Sequence, residues 1–161
     1  IEDGSTAQEN AKKKAVTYAR AIGQTVLSMD NALYFDGLSS EKQPGIHVRR
    51  IGGLVALNDA ELLEHAVSLI ESLGGNATGY WEYGICIAQP DGKTFEMTLK
   101  TNRIFTSKKS EKIIPGYPLE SVQIDPETKK YISEMTTEEQ STFWNKNIGS
   151  KLCQFVGEVL C

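Results

Sequence analysis

An α/β fold, a mixed sheet covered on both faces by helices, is what the order of elements in this chain predicts. Three observations carry that expectation. Three segments open with a Ser/Thr/Asn cap followed three residues later by Glu and then show apolar residues at helical spacing. Between them lie β-rich runs bounded by Gly and Pro. At 161 residues and 40% hydrophobic, the chain is long enough for one domain with a substantial core, and its composition shows no second unit, internal repeat or low-complexity segment.

The first helix spans 6 to 22, with Thr6 and Glu9 as its capping box, Gly23 as its stop, and Ala11, Ala15, Tyr18, Ala19 and Ile22 as a stripe of mostly small side chains. Lys14 sits beside that stripe, at its boundary with solvent. Val26 to Leu38 is the organising stretch. Its apolar start runs into Asp30, then Asn31 and Ala32, which predicts a buried strand whose C-terminal tip delivers Asp30 to a cleft. At such a tip the carboxylate either caps the following turn or holds a divalent cation and activates a water.

Pro44-Gly45 breaks the chain before a short piece over 46 to 51. There His47 reads as a half-buried packing residue, because no second histidine or cysteine stands at a metal spacing, and Arg50 as an anion contact or an exposed ion pair. Asn58 caps a second helix that ends at Gly74-Gly75. Residues 78 to 89 and 94 to 100 form a long hairpin around Pro90-Asp91-Gly92-Lys93, 106 to 117 a mobile polar loop, and 119 to 124 one more strand. Thr136 and Glu139 open the last helix, 136 to 160.

A net charge of −4 without a basic stripe argues against a nucleic-acid partner. No apolar run reaches the ~18 residues of a membrane span. Three cysteines without CxxC spacing fit reduced thiols and a cytoplasmic location better than a disulfide frame or zinc site.

In order along the chain, Thr6-x-x-Glu9-Asn10-Ala11-x-x-Lys14-Ala15, Val26-Leu27 leading to Asp30, Leu33-x-x-Asp36-x-Leu38, Pro44-Gly45 with Arg50, and Glu134-Met135-Thr136-x-Glu138-Glu139 resemble the inosine and xanthosine triphosphate pyrophosphatases. The similarity covers nearly all of residues 1 to 160. It implies an elongated two-lobed fold with a central mixed sheet and a cleft between the lobes, usually in a homodimer. It also implies magnesium-dependent hydrolysis of a nucleoside triphosphate, preferably of a deaminated purine, to the monophosphate and pyrophosphate. Glu2 matches the family's metal-binding glutamate, Asp30 its second acid and Lys14 its helix lysine facing the triphosphate. Magnesium takes one or two carboxylates and completes its shell with phosphate oxygens and waters, so a Glu and an Asp suffice.

Several positions depart from the family. Met29 replaces the first of its paired aspartates, and its thioether does not ligate magnesium. Gln140 and Trp144-Asn145-Lys146 stand where the family carries a lysine and Ser-His-Arg, so Trp144, Asn145 and Lys146 are expected to shape a new base preference. The family's aromatic-glycine loop is unrecognisable around 115 to 122. Its opening strand and Thr-Gly-Asn phosphate loop are absent, and the chain is expected to be a piece of a longer product. The alternative to an active enzyme is a nucleotide-binding or dimeric scaffold that has kept the fold and lost turnover.

Overall fold

The computed structural model describes residues 4–51 and 55–160. Helix α1 is Ala7–Ile22, capped by the Thr6 hydroxyl, which accepts from the Glu9 N–H, and closed by Gly23 at φ 66°. The Glu9 carboxylate reaches back to Ser5, accepting from its N–H and its hydroxyl, one residue earlier than the predicted box. The buried seam of α1 is Ala7, Ala11, Ala15 and Ala19, all fully buried, whereas Tyr18 and Ile22 are exposed. Only methyl groups fit along this seam, because the helix backbone lies directly on the sheet at Gly84.

Strand β1 (Val26–Phe35) is longer than the apolar start suggested. Asp30 is therefore not at a strand tip. It lies in mid-strand, opposite Gly84 of β4 (Asn76–Ala88). The polar run Asp30-Asn31 looked like a turn, but β1 is an edge strand among the described residues, where polar side chains are tolerated. Beyond them the alternation resumes with Leu33 and Phe35 buried. The outer margin of β1 is closed at its end. The Leu33 N–H and carbonyl pair with Gly45. The Gln43 amide donates to the carbonyls of Phe35 and Leu38, and accepts from the Phe35 N–H.

The sheet runs β1-β4-β5-β6, with β5 Thr94–Thr106 and β6 Gln123–Ile124, and all its described pairings are antiparallel, so the parallel partners of a mixed sheet are not among them. A second, two-stranded ribbon pairs β2 (Arg50–Ile51) with β3 (Val55–Ala56). The hairpin is as predicted at its turn, although β5 continues six residues past 100, up to Thr106. The strand expected over 119 to 124 shrinks to β6, because Pro118–Ser121 folds into a 3₁₀ turn. The loop that follows β5 is tied down: Ser110 donates from its N–H to Ser121 and from its hydroxyl to Glu134, and Lys109 pairs with Glu64.

Helices cover both faces of the sheet. Cys86 and Ala88 lie beneath α1. On the opposite face Leu33, Phe35 and Phe105 pack on Leu62, Leu63, Ala66 and Ile70 of α2 (Asp59–Ser72). Tyr83, Ile85 and Leu99 pack on Ile148, Leu152 and Phe155. The predicted last helix is three pieces: α3 (Thr137–Trp144), a π-helical turn over Asn145–Gly149, and α4 (Ser150–Leu160). The wider turn re-phases the helix, so the apolar side of α4 meets the sheet although α3 buries only Phe143.

Candidate functional site

A cleft of about 820 Å³ wraps around the edge strand β1. At one end it is polar. The Lys14 ammonium lies 3.5 Å from Asp30 Oδ1, with both side chains largely buried. The two meet because α1 is pressed onto β4 by its alanine seam, and Asp30 points to that same face of the sheet. The Asn31 N–H donates to Asp30 Oδ1 at 3.0 Å, which fixes the carboxylate further. Asn10, buried one turn before Lys14 on α1, also lines the cleft, and its side-chain oxygen accepts from the Gly4 N–H.

The facing wall carries His47, Arg49 and Arg50, all exposed. The expected packing role for His47 is therefore not what the fold shows: the chain around it is held by backbone turns and leaves the imidazole at the cleft surface. Arg49 is engaged with Asp59 and the Gly116 carbonyl, while Asp59 accepts from the Gly116 N–H. This ties the segment around Gly116 to α2 and makes it the roof of the cleft.

The other end is aromatic. Trp81, Tyr83 and Trp144 line it, and the Trp81 indole N–H donates to Gln123 at 2.9 Å. Gln140 and Ile148 stand one helical turn either side of Trp144. Trp144 meets Phe143 edge to face at 4.9 Å. Asn145 and Lys146 do not line this cleft. Both are exposed, and Lys146 pairs with Glu127 across a separate hollow of about 500 Å³. The helix places successive residues about 100° apart, so only one of three consecutive side chains faces the cleft.

Glu2 lies outside the described residues. Among the described residues no cluster of three or more His, Cys, Asp or Glu forms a metal site. Asp30 alone still fits the donor chemistry of magnesium, which needs one or two carboxylates and takes its other ligands from phosphates and water.

Asn10, Gln123, Tyr117 and Glu120 are cleft residues that sequence reasoning passed over. Asn10 was within the quoted helix pattern and offered a signal; Glu120 had none, being read as a strand residue. Burial pushes the Glu120 carboxyl above the ordinary carboxylate range, against a smaller opposing effect of Lys112. With the folded-state value raised, this group favours the fold when protonated, and that contribution is lost as pH rises from the ordinary carboxylate range through the raised value. Glu120→Gln is accordingly expected to raise the melting temperature at pH 7, with the difference from wild type shrinking as the pH falls to about 4, where the unfolded carboxylate also protonates. A series of thermal melts across that range checks it; an equal difference at every pH would rule it out.

The fold is that of the Ham1 proteins: the chain superposes on the Ham1 protein of Coxiella burnetii with a TM-score of 0.78 at 21% identity, covering 98% of this chain and 80% of that one. The Staphylococcus aureus Ham1 protein gives a TM-score of 0.74 at 22% identity, with the same coverage. The Ham1 family model matches residues 1–147, and the chain belongs to the Ham1 family. Among curated relatives, the dITP/XTP pyrophosphatase of an Exiguobacterium species is 27% identical over 161 aligned residues, 99% of this chain and 77% of that protein.

Proposed function

We propose that this protein hydrolyses a deaminated-purine nucleoside triphosphate to the nucleoside monophosphate and pyrophosphate. The observation that carries the reading is the Lys14–Asp30 pair beside a cleft that Asp30 lines together with Trp81, Tyr83 and Trp144. A nucleotide offers matching chemistry: anionic phosphates for a lysine and a carboxylate-held cation, and an aromatic base for the rings. The sequence similarity to dITP/XTP pyrophosphatases supports the same class of substrate.

In this reading Asp30 takes a proton from a water as its oxygen attacks the α-phosphorus, the bond from that phosphorus to the bridging oxygen breaks, and pyrophosphate leaves. Lys14 holds the Asp30 carboxylate in place and offsets charge on the departing pyrophosphate. Arg50, exposed on the facing wall, contacts the phosphates. Trp144, with Trp81, encloses the base. Magnesium, held in part by Asp30, would lower the pKa of a bound water and draw charge off the phosphates. Magnesium as the ion and a homodimeric state are what the resemblance to the inosine and xanthosine triphosphate pyrophosphatases implies. The cytoplasmic location draws support from the free thiols of Cys86 and Cys153.

The test is pyrophosphate release by the full-length protein with magnesium on a panel of inosine, xanthosine, guanosine and adenosine triphosphates. Release from the first two with monophosphate as co-product is expected. Failure on every triphosphate would sink the reading, and nucleotide binding without release would establish the scaffold instead.

A further inference from the structure

Asn10, in the first half of α1, is 3% exposed, and its side-chain oxygen accepts from the Gly4 N–H at 2.8 Å. That bond fixes which end of the amide is which, because only the oxygen accepts. Holding Gly4 uses the oxygen alone. The Nδ2 group, with two N–H donors, has no acceptor among the described residues. It is not walled in either: Thr101 Oγ1, Arg103 Nε and Nη2 and Ser133 Oγ are the enclosed side-chain atoms without a partner among the described residues, and the Asn10 nitrogen is not one of them. Asn10 lines the cleft, so its donors open there.

The two flanks of α1 show what those donors face. Down one flank Gln8 and Lys12 reach β5: Gln8 donates to Glu96 at 3.4 Å and accepts from the Thr98 hydroxyl at 3.0 Å, and Lys12 pairs with Glu96 at 2.7 Å. Asn10 and Lys14 each follow by two residues, about 200° round the helix, and so occupy the other flank, over β1. There Lys14 meets Asp30 at 3.5 Å. The start of α1 is held at this place on the sheet, because the backbone of Ala7 and Gln8 lies against Gly84, the strand partner of Asp30. Asn10 stands one turn before Lys14, about 6 Å along the helix axis, in the cleft that Met29, Asp30 and Asn31 also line.

We infer that Asn10 contacts the substrate: its Nδ2 group donates to a phosphate oxygen of the bound triphosphate, while the bond from Gly4 to Oδ1 keeps the amide turned for it. The inference rests on the nucleotide reading above and deepens it. A neutral donor suits this place. A second cation one turn from Lys14 would repel it, whereas an amide N–H on an anionic oxygen makes a charge-assisted bond without that repulsion. The base also carries acceptors, but Trp81, Tyr83 and Trp144 come from β4 and α3, and Asn10 shares its flank with Lys14.

The experiment uses the full-length protein with magnesium and two probes: inorganic pyrophosphate, which has phosphates and no base, and inosine, which has the base and no phosphate. In the wild type, the side-chain amide protons of Asn10 are expected to shift downfield in proton–nitrogen NMR spectra on addition of pyrophosphate and to stay in place on addition of inosine. In folded Asn10→Asp and Asn10→Ala the dissociation constant of pyrophosphate rises about tenfold or more, the worth of one hydrogen bond to a charged group, and that of inosine is unchanged. The two variants check each other. The aspartate still accepts from Gly4, so a rise there is not the loss of that bond, and the alanine adds no charge, so a rise there is not repulsion. Wild-type pyrophosphate affinity in either folded variant overturns the inference and leaves Asn10 a holder of Gly4. Asn10 amide protons that do not move when pyrophosphate is added to the wild type overturn it without any variant, so the test holds even where the substitutions fail to fold. If no triphosphate is cleaved, the pyrophosphatase reading fails separately, and the contact is still read from binding.

Discussion

Asp30→Asn is expected to reduce pyrophosphate release by about 10²- to 10⁴-fold, the span associated with removal of a general base. The substitution is close to isosteric. An asparagine oxygen still accepts from the Lys14 ammonium and from the Asn31 N–H, the two donors that hold Asp30 now. Thermal stability should therefore stay within about 1 kcal/mol of wild type, and nucleotide binding at the aromatic end should survive. Turnover measured alongside a melting curve and a binding isotherm separates these effects. Retained turnover would remove Asp30 from the chemistry. An unchanged affinity in a wild type that shows no turnover would favour the scaffold.

Gly84→Ala is expected to be strongly destabilising. A Cβ at that position overlaps backbone atoms of Ala7 and Gln8 at the start of α1, and backbone cannot rotate away as a side-chain tip does. The helix must lift, and with it the fully buried seam of Ala7, Ala11, Ala15 and Ala19. Overpacking of this kind costs about 3 kcal/mol. Because Gly84 pairs with Asp30, and α1 carries Lys14, the same shift pulls the ion pair apart, so activity should fall even at temperatures where the variant remains folded. Gly157→Ala supplies the contrast: no atom lies near its added methyl, and in a helix interior it should stabilise by about 0.5–1 kcal/mol. Urea denaturation of the two variants measures both; equal effects would show that close approach at Gly84 does not govern the fold.

What could be read from the chain in advance was the local chemistry. Capping residues marked α1, α2 and α3 within a residue, and the Asp91-Gly92 turn marked the long hairpin. The family pattern named Lys14 and Asp30 together, and the fold brings them within 3.5 Å. What stayed hidden depends on contacts distant in sequence. Asp30 and Asn31 carry turn-forming side chains, and only the pairing with β4 makes them strand. Nothing local in Asn145-Lys146-Asn147 announces a π-helical turn, and the match of Asn145 and Lys146 to the family's base-holding positions does not bring them into the cleft. Arg103 lies beyond the strand expected to end at 100; it is buried because α3 and the π-helical turn close over it, with Phe143 and Asn147 touching the guanidinium.

The Gln43 side chain behaves as a one-residue counterfeit of a neighbouring strand, offering Phe35 a donor and an acceptor where another backbone would otherwise lie. With Gly45 already joined to Leu33, a foreign polypeptide zipping along this margin would run out of partners there. Between them the Gln43 amide and Gly45 leave this end of the strand margin without free pairing groups at Leu33 and Phe35, the groups that edge-to-edge strand addition would need.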